Sequence, residues 1–278
     1  MLAGGATVAP GLWHGVHQWW PDSRIAAQPF HRYVHRSLLV LAIVGLWPMG
    51  RITHFSLRLG IGRGSFPLER FRLGWLTGFS SLGVIAIGAI LFGQRYVRLP
   101  DSTLVGLINL LKALATALGV GLVEEILFRG ALFTSLRRTH GWLLAAGWSS
   151  GIYALVHFFQ KTPEPPVVSI WSGWTVLGQM LGGFWDWSSL VPGFFNLFLV
   201  GWLLAEAREH TGGLIAPIGM HSAWIFWLRF YAIFTVSGPQ AMTWVWGSSK
   251  MIDGWMAFLA LTATLFAVRR QLVGKHTH

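Results

Sequence analysis

The sequence predicts an all-α fold, a polytopic membrane helix bundle of about seven transmembrane helices (six to eight). Three observations carry that prediction. Asp, Glu, Lys and Arg make up only 11% of the chain, against about 25% in soluble domains, too few to cover a soluble surface of this size. Apolar residues make up 53%, with a mean hydropathy of +0.53. The 17 Trp residues suit the two membrane–water interfaces, where Trp concentrates. This aromatic content also excludes a disordered chain. There is no Cys, which excludes disulfides, thiolate catalysis, iron–sulfur clusters and Cys-ligated zinc.

A span needs about 20 mostly apolar residues. Residues 37–50 form a short first run, flanked by Arg36 and Arg51, which can snorkel. Residues 73–94 carry no acidic or basic side chain until the run ends and form the second. Residues 103–136 are long enough for a span and two extra turns; 142–160, 188–205, 213–235 and 252–268 complete the set. The N-terminal 20 residues are apolar but sparsely patterned, with His14 and His17 and no basic stretch ahead of them, so no secretory signal is read there. Residues 163–187 hold Pro163, Pro165, Pro166, Trp171, Trp174, Trp185 and Trp187 and read as an interfacial or re-entrant segment, a candidate lid or gate. Gly173, Gly178, Gly182 and Gly183 in that stretch are expected to let helices approach closely. With no repeat or linker, residues 1–278 are expected to form a single integral membrane domain.

The net charge of +11 would suggest nucleic acid in a soluble protein. Here most basic residues lie between apolar runs, so topology and anionic headgroups explain them and no nucleic acid is expected. If 163–187 does not span, Arg51, Arg58, Arg63, Arg70, Arg72, Arg137, Arg138, Arg208, Arg269, Arg270 and Lys275 share one side. The other side holds fewer, which favours a cytoplasmic C-terminus and places 163–187 on the opposite face.

The third run contains Glu124-Glu125-Ile126-Leu127-Phe128-Arg129. Each carboxylate there costs about 2.5–3.5 kcal/mol to insert. Glu125 and Arg129 stand at i, i+4 and can pair, which leaves Glu124 without a local partner. An alternative is that both acids serve only flanking Arg residues. His157 and His221 also fall inside apolar runs. Measured from the turn at His140-Gly141, Glu124 and His157 lie about 25 Å along antiparallel neighbours, hence at one depth. His221 lies about 15 Å past Thr211-Gly212-Gly213, and helix tilt closes most of the difference. A carboxylate and an imidazole can share a water and take its proton as it attacks a carbonyl, while a second imidazole stabilises the oxyanion. Neither a G-x-S-x-G nucleophile nor H-E-x-x-H occurs.

Glu124-Glu125-x-x-x-Arg129 resembles the first motif of the CAAX-protease and bacteriocin-processing family of membrane glutamic peptidases. Tyr153-x-x-x-His157 is similar to its second motif, with Tyr153 where the family has Phe. Ala216-Pro217-Ile218-Gly219-Met220-His221-Ser222-Ala223-Trp224 resembles the lead into its third. The resemblance covers about residues 100–235. It implies a metal-independent intramembrane endopeptidase without a cofactor, in which Glu124 and His157 activate water and His221 helps bind the oxyanion. Glu125 and Arg129 would position the first motif. The substrate would be a membrane-embedded or lipid-anchored protein or peptide, and the location a bacterial inner (plasma) membrane. The family has Asn or Asp four residues after the third-motif His, where this chain has Ile225. Asn196 and the Tyr153 hydroxyl are the candidates to replace that donor.

Three other readings stand beside this one. Ile225 favours a non-catalytic scaffold or immunity-type protein of the same fold. Glu124, His157 and His221 form a ligand set that zinc accepts. Buried Glu and His also build proton relays in transporters, although no inverted repeat is evident. His14-x-x-His17 and His31-x-x-x-His35 have metal-like spacing but lie in the sparsely patterned N-terminal region, and no metal is expected there. Glu206, Arg208 and Glu209 read as a charge cluster at a helix end.

Overall fold

The structure is a computed structural model that describes residues 2–52, 67–160 and 162–273. Arg58, Arg63, Lys161 and Lys275, which enter the topology argument, lie outside the described residues. The described chain is an all-α membrane bundle. Its elements run α1 (Leu2–Trp19), α2 (Phe30–Ile52), α3 (Pro67–Leu91), β1 (Arg95–Val97), α4 (Thr103–Glu125), a π-helix (Ile126–Phe133), α5 (Thr134–Thr139) and α6 (Trp142–Val156). After these come α7 (Ser172–Met180), a 3-10 helix (Leu181–Trp185), α8 (Trp187–Thr211), α9 (Ile215–Phe234), β2 (Thr235–Ser237), α10 (Thr243–Trp246) and α11 (Trp255–Val273).

All seven expected runs are helical. Among the described residues, three helical stretches are long and apolar enough to cross a bilayer: Leu68–Leu91, Thr103–Thr139 and Leu190–Thr211. The fourth run is shorter than expected. It stops at Val156, with 15 helical residues rather than reaching 160.

The helices group into two compact units, residues 2–52 with 155–187, and 67–154 with 188–273. In the first, α1 is a helix the sequence pattern did not announce. Its buried face is Gly5, Ala6, Ala9 and Pro10, small residues that let it lie directly on its neighbours. A Cβ on Gly5 would come within 2.5 Å of Leu38 Cδ2, and one on Gly173 would collide with the Ala6 carbonyl. Phe30, Tyr33, Val34, Val176 and Met180 fill the core between α2 and α7. Glu164 accepts from the Phe30 amide at 2.9 Å and so satisfies a donor in the first turn of α2. Within 163–187 the regular structure is the nine-residue α7 and the 3-10 turn, which is no spanning helix. Gly183 touches the Phe158 carbonyl as closely as Gly173 touches Ala6, whereas Gly178 faces open space and Gly182 meets only a distant side-chain atom.

In the second unit, α3 and α9 pack backbone to backbone. Gly74 and Gly78, four residues apart, face the Ala216 and Met220 carbonyls, and Gly219 faces that of Phe71. The indole N–H groups of Trp224 and Trp227 cross this seam to Ser81 Oγ (2.8 Å) and the Phe79 carbonyl (2.7 Å). At the end of α9, β2 pairs antiparallel with β1, Tyr96 opposite Val236. The buried Arg95 guanidinium donates there to Thr235 Oγ1, the Thr235 carbonyl and Ser237 Oγ. The expected charge cluster at the end of α8 reaches other helices: Glu206 accepts from Arg269 of α11 at 3.0 Å, and Glu209 from Arg137 of α5 at 2.9 Å.

Candidate active site

Glu125 is the last residue of α4, and Arg129 lies in the π-helix that follows. A π-helix inserts one extra residue per turn and is common at functional sites. Thr134 closes this one by donating its hydroxyl to the Arg129 carbonyl (2.8 Å). Arg129 is fully buried and held on three sides. Its Nη1 donates to Glu125 Oε1 (3.0 Å), its Nη2 to the Gly201 carbonyl of α8 (3.1 Å), and its guanidinium lies 4.6 Å from the centre of the Tyr153 ring. Gly201 can come this close because it has no side chain; a Cβ there would stand 2.8 Å from Ser150 Cα of α6.

Glu125 Oε1 has a second partner, His221 Nδ1 of α9, at 2.8 Å. Since a carboxylate only accepts, Nδ1 carries the hydrogen. The other ring nitrogen, Nε2, faces the Tyr153 hydroxyl at 3.2 Å and Glu124 Oε2 at 3.7 Å. The two carboxylates differ in access: the Glu125 side chain is 0% exposed and that of Glu124 25%. Glu124 is therefore the acid a substrate or water can reach. Helices α4 and α9 approach this closely because Gly121, one turn before Glu125, sits against Ser222, where any Cβ would clash with the hydroxyl.

The structure thus brings Glu124, Glu125, Arg129, Tyr153 and His221 together. It does not add Asn196, whose amide nitrogen donates to the carbonyls of Ile252 (2.7 Å) and Gly254 (2.9 Å) and fastens α8 to the segment before α11. His157 is an exposed turn residue just past the end of α6 and belongs to the other compact unit. Ile225 is half-buried, one turn beyond His221. Among the described residues no three His, Asp or Glu side chains are grouped to hold a metal ion. The sequence reading missed the π-helix, the Gly201 acceptor and the Gly121–Ser222 crossing. Only Gly121 left a signal, a Gly at i−4 from a buried carboxylate.

Residues 106–227 match the family model described as type II CAAX prenyl endopeptidase Rce1-like. Over this segment the chain is similar to that family. No curated protein and no solved structure matches the chain. The Rce1-like segment runs from the second turn of α4 into α9 and contains Glu124, Glu125, Arg129, Tyr153, His157, Asn196 and His221. The motif resemblance and the family match agree. Together with the apolar helices, the match supports an integral membrane protein with protease function.

Proposed function

We propose that this protein is a metal-independent intramembrane endopeptidase that cleaves a membrane-embedded or lipid-anchored protein or peptide with water activated at Glu124. The observation that carries the reading is the contrast within the acidic pair. Glu125 is sealed in and shared between Arg129 and His221, while Glu124 keeps a quarter of its side chain exposed, with its buried Oε2 3.7 Å from His221 Nε2. In this reading Glu124 takes a proton from water as the hydroxide adds to the scissile carbonyl. His157 assists, the role its motif implies. The oxyanion is met by the Tyr153 hydroxyl and by His221, whose Nε2 is the nitrogen left for it and donates when protonated. Glu124 then returns its proton to the leaving amine as the C–N bond breaks. Glu125 and Arg129 hold His221 and the helix end in place. Lipid anchoring and a bacterial inner membrane are part of the proposal and follow from the family resemblance.

Comparison of membrane-protein termini between wild-type and Glu124→Gln cells tests the reading. New amino termini that vanish with Glu124→Gln are expected; identical termini would sink it. Ile225 gives the scaffold reading its one specific support, because an amide or acid is missing where the family places one. With Asn196 engaged elsewhere, Tyr153 is the group that compensates.

A further inference from the structure

Lys112 of α4 and Arg229 of α9 are basic residues that neither the candidate site nor the helix ends explain. Both are exposed, and among the described residues neither has an acidic partner. Lys112 is the sole Asp, Glu, Lys or Arg in Thr103–Val123, a stretch about 30 Å long as a helix, one bilayer core. Arg229 is likewise the sole such residue in α9. An ionisable side chain in that setting has a functional reading by default.

Helices α4 and α9 run antiparallel. They cross at Gly121 and Ser222, and Arg98, just ahead of α4, donates its amide to Phe234 at the end of α9 (2.8 Å). From the crossing, Lys112 lies nine residues back and Arg229 seven residues on, about 13 Å and 10 Å in the same direction. The two cations therefore share a level. On α4, Lys112, Thr116, Val120 and Glu124 form one i, i+4 row beside the buried row Ala113, Ala117, Gly121 and Glu125. On α9, His221, Ile225 and Arg229 form the matching row. Each row begins at the proposed reacting pair and ends on a cation.

Resting on the peptidase reading, we infer that these rows line a track for the substrate chain. Lys112 and Arg229 bind a carboxylate that the substrate carries about four to six residues from the scissile bond. The twelve residues from Glu124 to Lys112 span about 18 Å of helix, and an extended peptide covers about 3.3 Å per residue. A lipid headgroup is the competing occupant; a substrate carboxylate is preferred because each cation closes a row that begins at the proposed reacting pair.

The test uses full-length Glu124→Gln protein in nanodiscs, which binds substrate without turnover under this reading. The probes are synthetic single-span Leu/Ala peptides with one Glu at successive positions, each beside its Gln counterpart. Over a narrow band of positions the Glu peptide should bind at least about tenfold more tightly. Adding Lys112→Gln should remove the preference, Lys112→Arg should retain it, and Arg229→Gln should weaken it. Equal binding of the two peptides at every position, including none bound, overturns the proposal. So does a Lys112 effect that follows the phosphatidylglycerol content of the disc for both peptides alike, which would assign the cations to lipid. Cleavage by the unsubstituted protein is measured in parallel. The Glu preference without any cleavage would overturn the peptidase reading alone, and cleavage without the preference would overturn the track alone.

Discussion

A single carboxylate oxygen, Glu125 Oε1, serves both a buried guanidinium and a buried imidazole. Glu125→Gln leaves Arg129 as an unpaired buried cation, which typically costs about 3–5 kcal/mol. The yield of folded protein should drop accordingly, read as the monodisperse fraction after extraction. Glu124→Gln, which leaves the Glu125 contacts to Arg129 and His221 in place, should keep the yield and lose proteolysis, and His221→Ala and His157→Ala should also lose it. Tyr153→Phe removes one hydroxyl beside His221 Nε2 while keeping the ring over Arg129. If that hydroxyl meets the oxyanion, turnover should fall by about 10²–10³, while Ile225→Asn should change it little. A hundredfold gain from Ile225→Asn with no loss from Tyr153→Phe would favour the scaffold. At this scale the sequence exposed the i, i+4 pair of Glu125 and Arg129, because that geometry is local. The second contact of Glu125 joins residues 96 positions apart, which no local pattern encodes.

At the scale of elements, the long apolar runs revealed their helices because composition alone distinguishes them from loops. α1 stayed hidden because its packing face is made of small residues, Gly5, Ala6 and Ala9, and because Pro10 within it reads as a helix breaker. The π-helix stayed hidden because the run through residues 126–133 is apolar whichever helix it adopts. The crossing of α4 and α9 yields a further prediction. Gly121→Ala puts a methyl group into the Ser222 hydroxyl, and overpacking of this kind costs about 1–3 kcal/mol. The helices must separate there, and His221 moves off Glu124 and Glu125. Proteolysis should fall in protein that still purifies as a folded species, and the double variant Gly121→Ala with Ser222→Gly should recover part of it. No recovery would mean the crossing does not set the site.

For the whole molecule, the expected topology places residues 163–187 on the face away from the cytoplasm. The absence of native Cys allows single-cysteine labelling. Val167 and Trp185 are exposed and serve better than Ser172, which is buried and accepts from the Ser169 amide. Val167→Cys and Trp185→Cys should react with an impermeant maleimide from outside the cell, and labelling only from the cytoplasmic side would contradict the topology. Activity should survive strong chelation of the purified protein; loss of activity together with stoichiometric zinc would move the choice to a metalloprotease. The division into two compact units was not legible, because it depends on which distant segments pack, and Pro- and Trp-rich composition marks an interface without naming its neighbour.

The ribbon of β1 and β2 bears on how the chain is assembled during synthesis. Arg95 is made early, but the hydroxyls and carbonyl that satisfy its guanidinium belong to Thr235 and Ser237, 140 and 142 residues later. At ribosomal speeds of about 5–20 residues per second, that interval is roughly 7–28 s. Throughout it, a cation whose donors have no final partners waits while α4 to α9 are made. Only when the ribosome has passed Ser237 can the start of α4 be tied to the end of α9. Nascent chains released just after Phe234 should therefore be cleared by quality-control proteases, and chains released a few residues beyond Ser237 should persist longer. The ribbon would then act as a completion signal, the point at which the start of α4 and the end of α9 are first joined.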